Sequence, residues 1–189
     1  MRRFGWFIVL GVVLVIILAI VLGFAGSYNG LVKKSQAVDA QWAQVETQYQ
    51  RRFDLIPNLV ATAKGYLKQE LAIFTEITQA RAAYSSAQTT DAKAVAAGEV
   101  EVALSKLIAI VEDNPEIKSD QVMIGLMDEL AGTENRISVE RGRYNTDVRD
   151  YNTAIKSFPT NIVAGMFNFN EHEYFKSVSG ADQPPVVEF

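Results

Sequence analysis

FGWFIVLGVVLVIILAIVLGFA, residues 4–25, holds no charged side chain. At ~1.5 Å of rise per residue, a helix of this stretch reaches roughly 33 Å, enough for the hydrocarbon core of a bilayer. A cleavable secretory signal has a shorter apolar region, about 7–15 residues, followed by a small-x-small cleavage site. Gly23-Phe24-Ala25 has that form only loosely. The stretch therefore predicts a retained transmembrane helix, with residues 1–27 as an anchor and the lipid bilayer as the partner of residues 4–25. A core helix of such uniform hydrophobicity would need a much larger protein around it than 189 residues supply.

Beyond the anchor the pattern becomes amphipathic. Val38, Trp42, Val45 and Tyr49 recur at steps of four, three and four, which makes one apolar stripe. The stripe runs into Arg51-Arg52-Phe53-Asp54-Leu55-Ile56-Pro57-Asn58-Leu59-Val60. Proline lacks a backbone N–H, so Pro57 predicts either a kink or the first turn of a second helix, with Asp54 as a candidate cap. Helical spacing resumes through Leu59, Ala63, Tyr66, Glu70, Ile73, Ile77, Ala80 and Tyr84, up to a polar turn over residues 85–90. Thr90 or Asp91 is placed to cap a third helix, which Asn114-Pro115 ends. Ser119 is placed to cap a fourth helix over residues 120–157, with Asp120 in its first turn and Pro159 beyond its end. Its stripe, from Met123 and Met127 through Leu130, Ile137 and Tyr144 to Ile155, alternates steps of three and four. That is the spacing of a helix packed lengthwise on its neighbours, as in a coiled coil.

The predicted fold is all-α: an antiparallel bundle of about four long helices after a single N-terminal transmembrane helix. The bundle covers residues 28–176, with a short packed helix or hook over 162–169. Residues 177–189 are expected to be a flexible tail. With 5 Pro and 12 Gly the chain is poor in the turns that an all-β fold requires.

Net charge is −4, and the part after Arg2 and Arg3 is two charges more negative. An acidic domain binds polyanions poorly, so no nucleic-acid partner is expected. The chain has no cysteine. That excludes disulfides, thiolate metal sites, a cysteine nucleophile and a lipidated N-terminal cysteine. Arg2, Arg3 and the α-amino group flank one end of the apolar run, while Lys33 and Lys34 stand several residues past the other. The positive-inside bias then puts the N-terminus in the cytoplasm and the bundle outside it.

Two charged residues, Glu134 and Arg141, occupy stripe positions where apolar side chains belong. A charge facing a helical core must be paired or reach water. Arg51, Arg52, Asp54 and Arg81 are the candidate partners, and Asn58, Asn145 and Asn152 extend the set. The expectation is a structural network of salt bridges and amides that sets helix register. The lone His172 lies between Glu171 and Glu173. Three successive residues cannot all face one ion, so His172 is expected on a solvated surface rather than at a metal. No phosphate loop or nucleophile elbow is present, and neither an enzymatic activity nor a cofactor is expected. The final residues, Pro-Pro-Val-Val-Glu-Phe, end on apolar-x-apolar-carboxylate, so Val187 and Phe189 are the candidate partner-binding positions of the tail.

Tyr28-Asn29-Gly30-Leu31-Val32, the Arg51–Val60 run just quoted, Glu112-Asp113-Asn114-Pro115, Thr133-Glu134-Asn135-Arg136-Ile137 and Arg141-Gly142-Arg143-Tyr144-Asn145 together resemble the LemA family. Tyr151-Asn152 and Phe158-Pro159 add to the resemblance, which extends from the anchor to about Phe175. One departure is Asn114-Pro115-Glu116-Ile117, where many members look like Tyr-Pro-Asp/Glu-Leu. The resemblance implies a bacterial membrane protein with an N-terminal anchor and long antiparallel helices, and it brings no catalytic residues with it. Some members are implicated in organising cell-envelope or organelle membranes, magnetosome membranes among them. The expected function is a membrane-anchored, non-enzymatic scaffold of the bacterial envelope, single-pass in the inner membrane, self-associating and organising or shaping membrane. The alternative is an adaptor that recruits or regulates another envelope complex, such as a membrane protease or quality-control machine.

Overall fold

The computed structural model describes residues 2–67 and 71–175, and for residues 2–5, 8, 9, 71 and 91 the backbone alone. The tail over 177–189, with Val187 and Phe189, lies outside the described residues, as does Glu70. Six helices and no strand are found among the described residues: α1 Arg2–Tyr66, α2 Leu71–Ser86, α3 Thr90–Asp113, α4 Pro115–Lys118, α5 Gln121–Lys156 and α6 Thr160–Met166.

The chain divides into two compact units, Met1–Gln41 with Asn145–Glu173, and Trp42–Tyr144 with Tyr174–Phe189. The second unit is the bundle, and its pairings give the topology. Along α1 the residues Trp42, Tyr49, Arg52 and Tyr66 meet Tyr144, Arg141, Glu134 and Asp120 of α5, so these helices are antiparallel. Lys64 lies over the ring of Phe74 while Phe53 meets Tyr84, so α2 is antiparallel to α1. Glu46 pairs with Lys93 and Arg52 with Glu101, so α3 runs parallel to α1. The core is the stripe side of each helix: Val45, Phe53 and Leu59 from α1, Ile77 from α2, Leu104 and Leu107 from α3, and Met123 and Ile137 from α5.

Three local expectations change. Pro57 lies inside α1 and starts no second helix. It is exposed, and Phe53, Ile56 and Leu59 around it are buried, so packing holds the helix through a residue that cannot donate to the preceding turn. Asp54 accordingly caps nothing, and its carboxylate accepts from Gln50 Nε2 at 2.7 Å. Thr89 rather than Thr90 caps α3, its hydroxyl accepting the Ala92 N–H at 3.1 Å. Asp120 rather than Ser119 caps α5, accepting the Val122 and Met123 N–H groups at 2.8 and 3.0 Å. In both cases the cap falls one residue from its expected place, where the carboxylate or hydroxyl can reach the second and third N–H of the turn. Ser119 instead donates to the Glu116 carbonyl.

In the first unit, α1 carries the apolar run, and its residues 10–23 are exposed, Leu10, Leu14, Leu18 and Leu22 included. It is one helix long and apolar enough to cross a membrane. At the other end of α5, α6 buries Val163 and Ala164 and ends at Phe167. Asn168 follows with φ 57°, and the Phe169 N–H returns to the Ala164 carbonyl at 3.0 Å, a left-handed close that turns the chain back. The segment after it runs alongside α1: Phe167 and Phe169 pack on Tyr28, with centroids 4.7 and 5.8 Å away, and His172 reaches Ser35.

Candidate functional site

The bundle interior holds one charged cluster. Arg52 of α1 is buried, because position 52 faces inward between Tyr49 and Ile56. Its Nη1 donates to Glu134 Oε2 of α5 at 2.5 Å and lies 3.6 Å from Glu101 of α3. Arg141 of α5 donates to the same Glu101 carboxylate and, through Nε at 3.0 Å, to the Tyr49 hydroxyl. Its guanidinium also stacks over the Phe175 ring, 4.5 Å from the centroid. Two arginines and two glutamates from three helices thus neutralise one another.

Electrostatics follow from burial. Burial pushes the Tyr49 phenol up to about 12, against the opposing pull of Arg141. Burial also raises Tyr84, whose ring is tilted against Tyr49 and edge-on to Phe53. Arg141 would lose affinity for its proton through burial, but the Tyr49 and Glu101 oxygens reverse this and hold it charged.

Of the residues singled out from sequence, the structure brings Arg52, Glu134 and Arg141 together. Arg51, Asp54 and Asn58 are exposed one position or more off the stripe, so helical geometry turns them away from the cluster. Arg51 and Asp54 instead line an open surface groove of about 530 Å³ with Asp128, Glu129 and Arg136. Arg81 is half-buried on α2 without an ion pair among the described residues. Asn145 and Asn152 belong to the first unit's part of α5. Asn152 is buried there, and its amide holds the backbone of His172. That overturns the solvated reading of His172, whose ring packs edge-on against Tyr151 with centroids 4.8 Å apart. Among the described residues no group of three acidic, His or Cys side chains is placed to hold a metal.

Sequence reasoning missed Glu101, which accepts from Arg141 and lies 3.6 Å from Arg52. Its signal was present: it lies four residues after Ala97 and three before Leu104, on the same stripe as Glu134 and Arg141 are on theirs. An open groove of about 400 Å³ borders the cluster, lined by Met127, Leu130 and Ile108 beside Arg52, Glu101 and Glu134.

Over 186 aligned residues the chain is 27% identical to magnetosome protein MamQ 2 of Paramagnetospirillum magneticum, covering 85% of this chain and 68% of that protein. Against magnetosome protein MamQ of Magnetospirillum gryphiswaldense the identity is 26% with the same coverage. The LemA family profile matches residues 41–189, the greater part of the sequence. Because that match covers well over half of the sequence, the chain belongs to the LemA family.

Proposed function

We propose that this protein is a membrane-anchored, non-enzymatic helical scaffold that self-associates and organises or shapes a bacterial membrane. The observation that carries the reading is α1 itself. One helix bears the apolar run, exposed over residues 10–23, and continues into the bundle, where Val45 to Ala63 supply core side chains. A bundle so tethered gathers anchors whenever copies associate. The interior charges support a structural role, because Arg52 and Arg141 pair with Glu101 and Glu134 across three helices. The relatives' names, magnetosome proteins, fit a role at a membrane-bounded structure. Arg2 and Arg3 before the apolar run favour a cytoplasmic N-terminus in the inner membrane and an extracytoplasmic bundle.

The test is the size of the full chain in mild detergent and in lipid nanodiscs over a range of concentrations. The scaffold forms concentration-dependent oligomers. A strictly monomeric, monodisperse species at every concentration overturns self-association.

A further inference from the structure

We propose that the turn after α5 and helix α6, residues 157–170, form a second contact with the bilayer, dipping into the headgroup layer beside the transmembrane helix. The inference rests on the reading of residues 4–25 as a membrane anchor and adds to it a part of the chain distant in sequence.

The first observation is charge. Residues 4–32 of α1 carry no charge, and neither do residues 157–170. The structure sets these two uncharged stretches side by side: Pro159 and Val163 line a groove of about 310 Å³ with Ile20, Gly23, Phe24 and Ser27 of α1. Both stretches end at the same level. Phe167 and Phe169 meet Tyr28, and His172 meets Ser35, so Glu171 comes level with Lys33 and Lys34. Lys156 and Glu171 form an ion pair at 2.8 Å that closes the mouth of the uncharged loop.

The second observation is which face is apolar. α6 buries Val163 and Ala164 against its own unit, as any packed helix does. Its outward side ought then to be polar in water. Instead Ile162 and Met166, four apart on α6, are exposed, and so are Phe158 in the turn before it and Phe167 at its C-terminal end. Phe158 is 80% exposed and Met166 64%. Large apolar side chains contiguous on a small surface mark a contact site. Here the site adjoins a helix segment that is itself exposed, apolar and long enough to span a membrane.

Depth selects the occupant. If the hydrocarbon core ends near residue 25, residues 26–32 occupy roughly 10 Å of headgroup layer. The Tyr28, Phe167 and Phe169 cluster lies at that depth, where aromatic rings collect. Lys33 and Lys34, both exposed, stand at its outer limit, suited to lipid phosphates. Ser157, Asn161, Asn168 and Asn170 among the apolar side chains fit the wet interface rather than the deep core.

The absence of native cysteine makes the test clean. Full-length single-cysteine variants Phe158→Cys, Ile162→Cys and Met166→Cys, with Leu14→Cys and Asp39→Cys as references, carry an environment-sensitive fluorophore. They are reconstituted in phosphatidylethanolamine/phosphatidylglycerol vesicles containing lipids with quenchers at shallow or deep acyl positions. The expected result is deep quenching at 14, none at 39, and several-fold stronger shallow quenching at 158, 162 and 166 than at 39. If 162 and 166 behave like 39 while 14 is quenched, the second contact is overturned and the anchor stands. If 14 is not quenched, the anchor reading fails and takes this inference with it. Blue-shifted emission at 162 and 166 without lipid quenching means that a second copy covers these side chains, which also overturns the lipid contact.

Discussion

Asn152 grips the backbone of His172 from both sides: its Nδ2 donates to the His172 carbonyl at 2.8 Å, and its Oδ1 accepts the His172 N–H at 3.0 Å. One buried amide thus supplies both partners of a peptide segment that has no sheet or helix to pair with. Tyr151 assists by donating to the Asn170 carbonyl at 2.9 Å. Together these bonds hold the returning segment beside α1.

Replacing Asn152 with Ala leaves a part-buried N–H and C=O without their side-chain partner, at a cost of about 1–2 kcal/mol. Asn152→Asp keeps the acceptor but sets a carboxylate against the His172 carbonyl, so it should be at least as damaging. Thermal melts give the stability, and amide exchange at residues 168–173 reports the local release. Wild-type exchange in Asn152→Ala would falsify the clamp.

Glu101 and Glu134 are expected to differ in weight although both bind arginine. The Glu101 side chain is 19% exposed and serves two guanidinium groups, whereas Glu134 is 44% exposed and serves one. Glu101→Gln strands part of two charges in the bundle and should cost about 3 kcal/mol. Glu134→Gln, screened by solvent, should cost no more than about 1 kcal/mol. Chemical denaturation of the two variants decides it, and equal losses would show that Glu101 is not the hub.

Acid should weaken the junction at the start of α5. Tyr66 donates to Asp120 at 2.7 Å, and this bond, with the Met123 N–H, holds the Asp120 carboxyl below its usual value. A depressed folded value contributes stability that is complete above the unfolded pKa, about 3.9, and is lost as pH falls through the folded one. The stability difference between wild type and Asp120→Asn should therefore shrink as pH drops below ~4. A difference that stays constant down to the acid limit would exclude the linkage.

Alkali acts through the buried phenols. The Tyr49 value of about 12 lies above that of an exposed tyrosine, near 10. Below pH ~10 its contribution is complete. Between there and about 12 the unfolded chain releases a proton that the folded one keeps, so stability declines. Ultraviolet titration should show Tyr49 ionising late, and Tyr49→Phe should remove that part of the decline. A wild-type alkaline limb in Tyr49→Phe would assign it to other groups.

Pro57 is exposed inside α1 and leaves the Phe53 carbonyl without its helical donor. Pro57→Ala should raise stability by about 2 kcal/mol, the ~3 kcal/mol of a restored helix interior less the entropy regained by the unfolded chain. A lowered melting temperature would mean that the proline's bend is required by the packing around it.

Much of the architecture is periodic and therefore legible. The uncharged run at residues 4–25, the steps of three and four through α3 and α5, and the break at Asn114-Pro115 depend on the local geometry of a helix, which a single stretch of sequence carries. The same rule turned Glu134 and Arg141 toward their partners, although Glu134 stays 44% exposed. Tertiary packing decided the rest. It carried α1 through Pro57, because apolar burial on both sides outweighs one lost hydrogen bond. It chose Glu101 from among the acids of α3, since pairing across helices depends on their rotation and height. It also drew His172 onto Asn152, and placed Pro159 and Val163 beside the apolar run of α1. No periodicity within one segment can encode these meetings, because each is a distance between residues far apart along the chain.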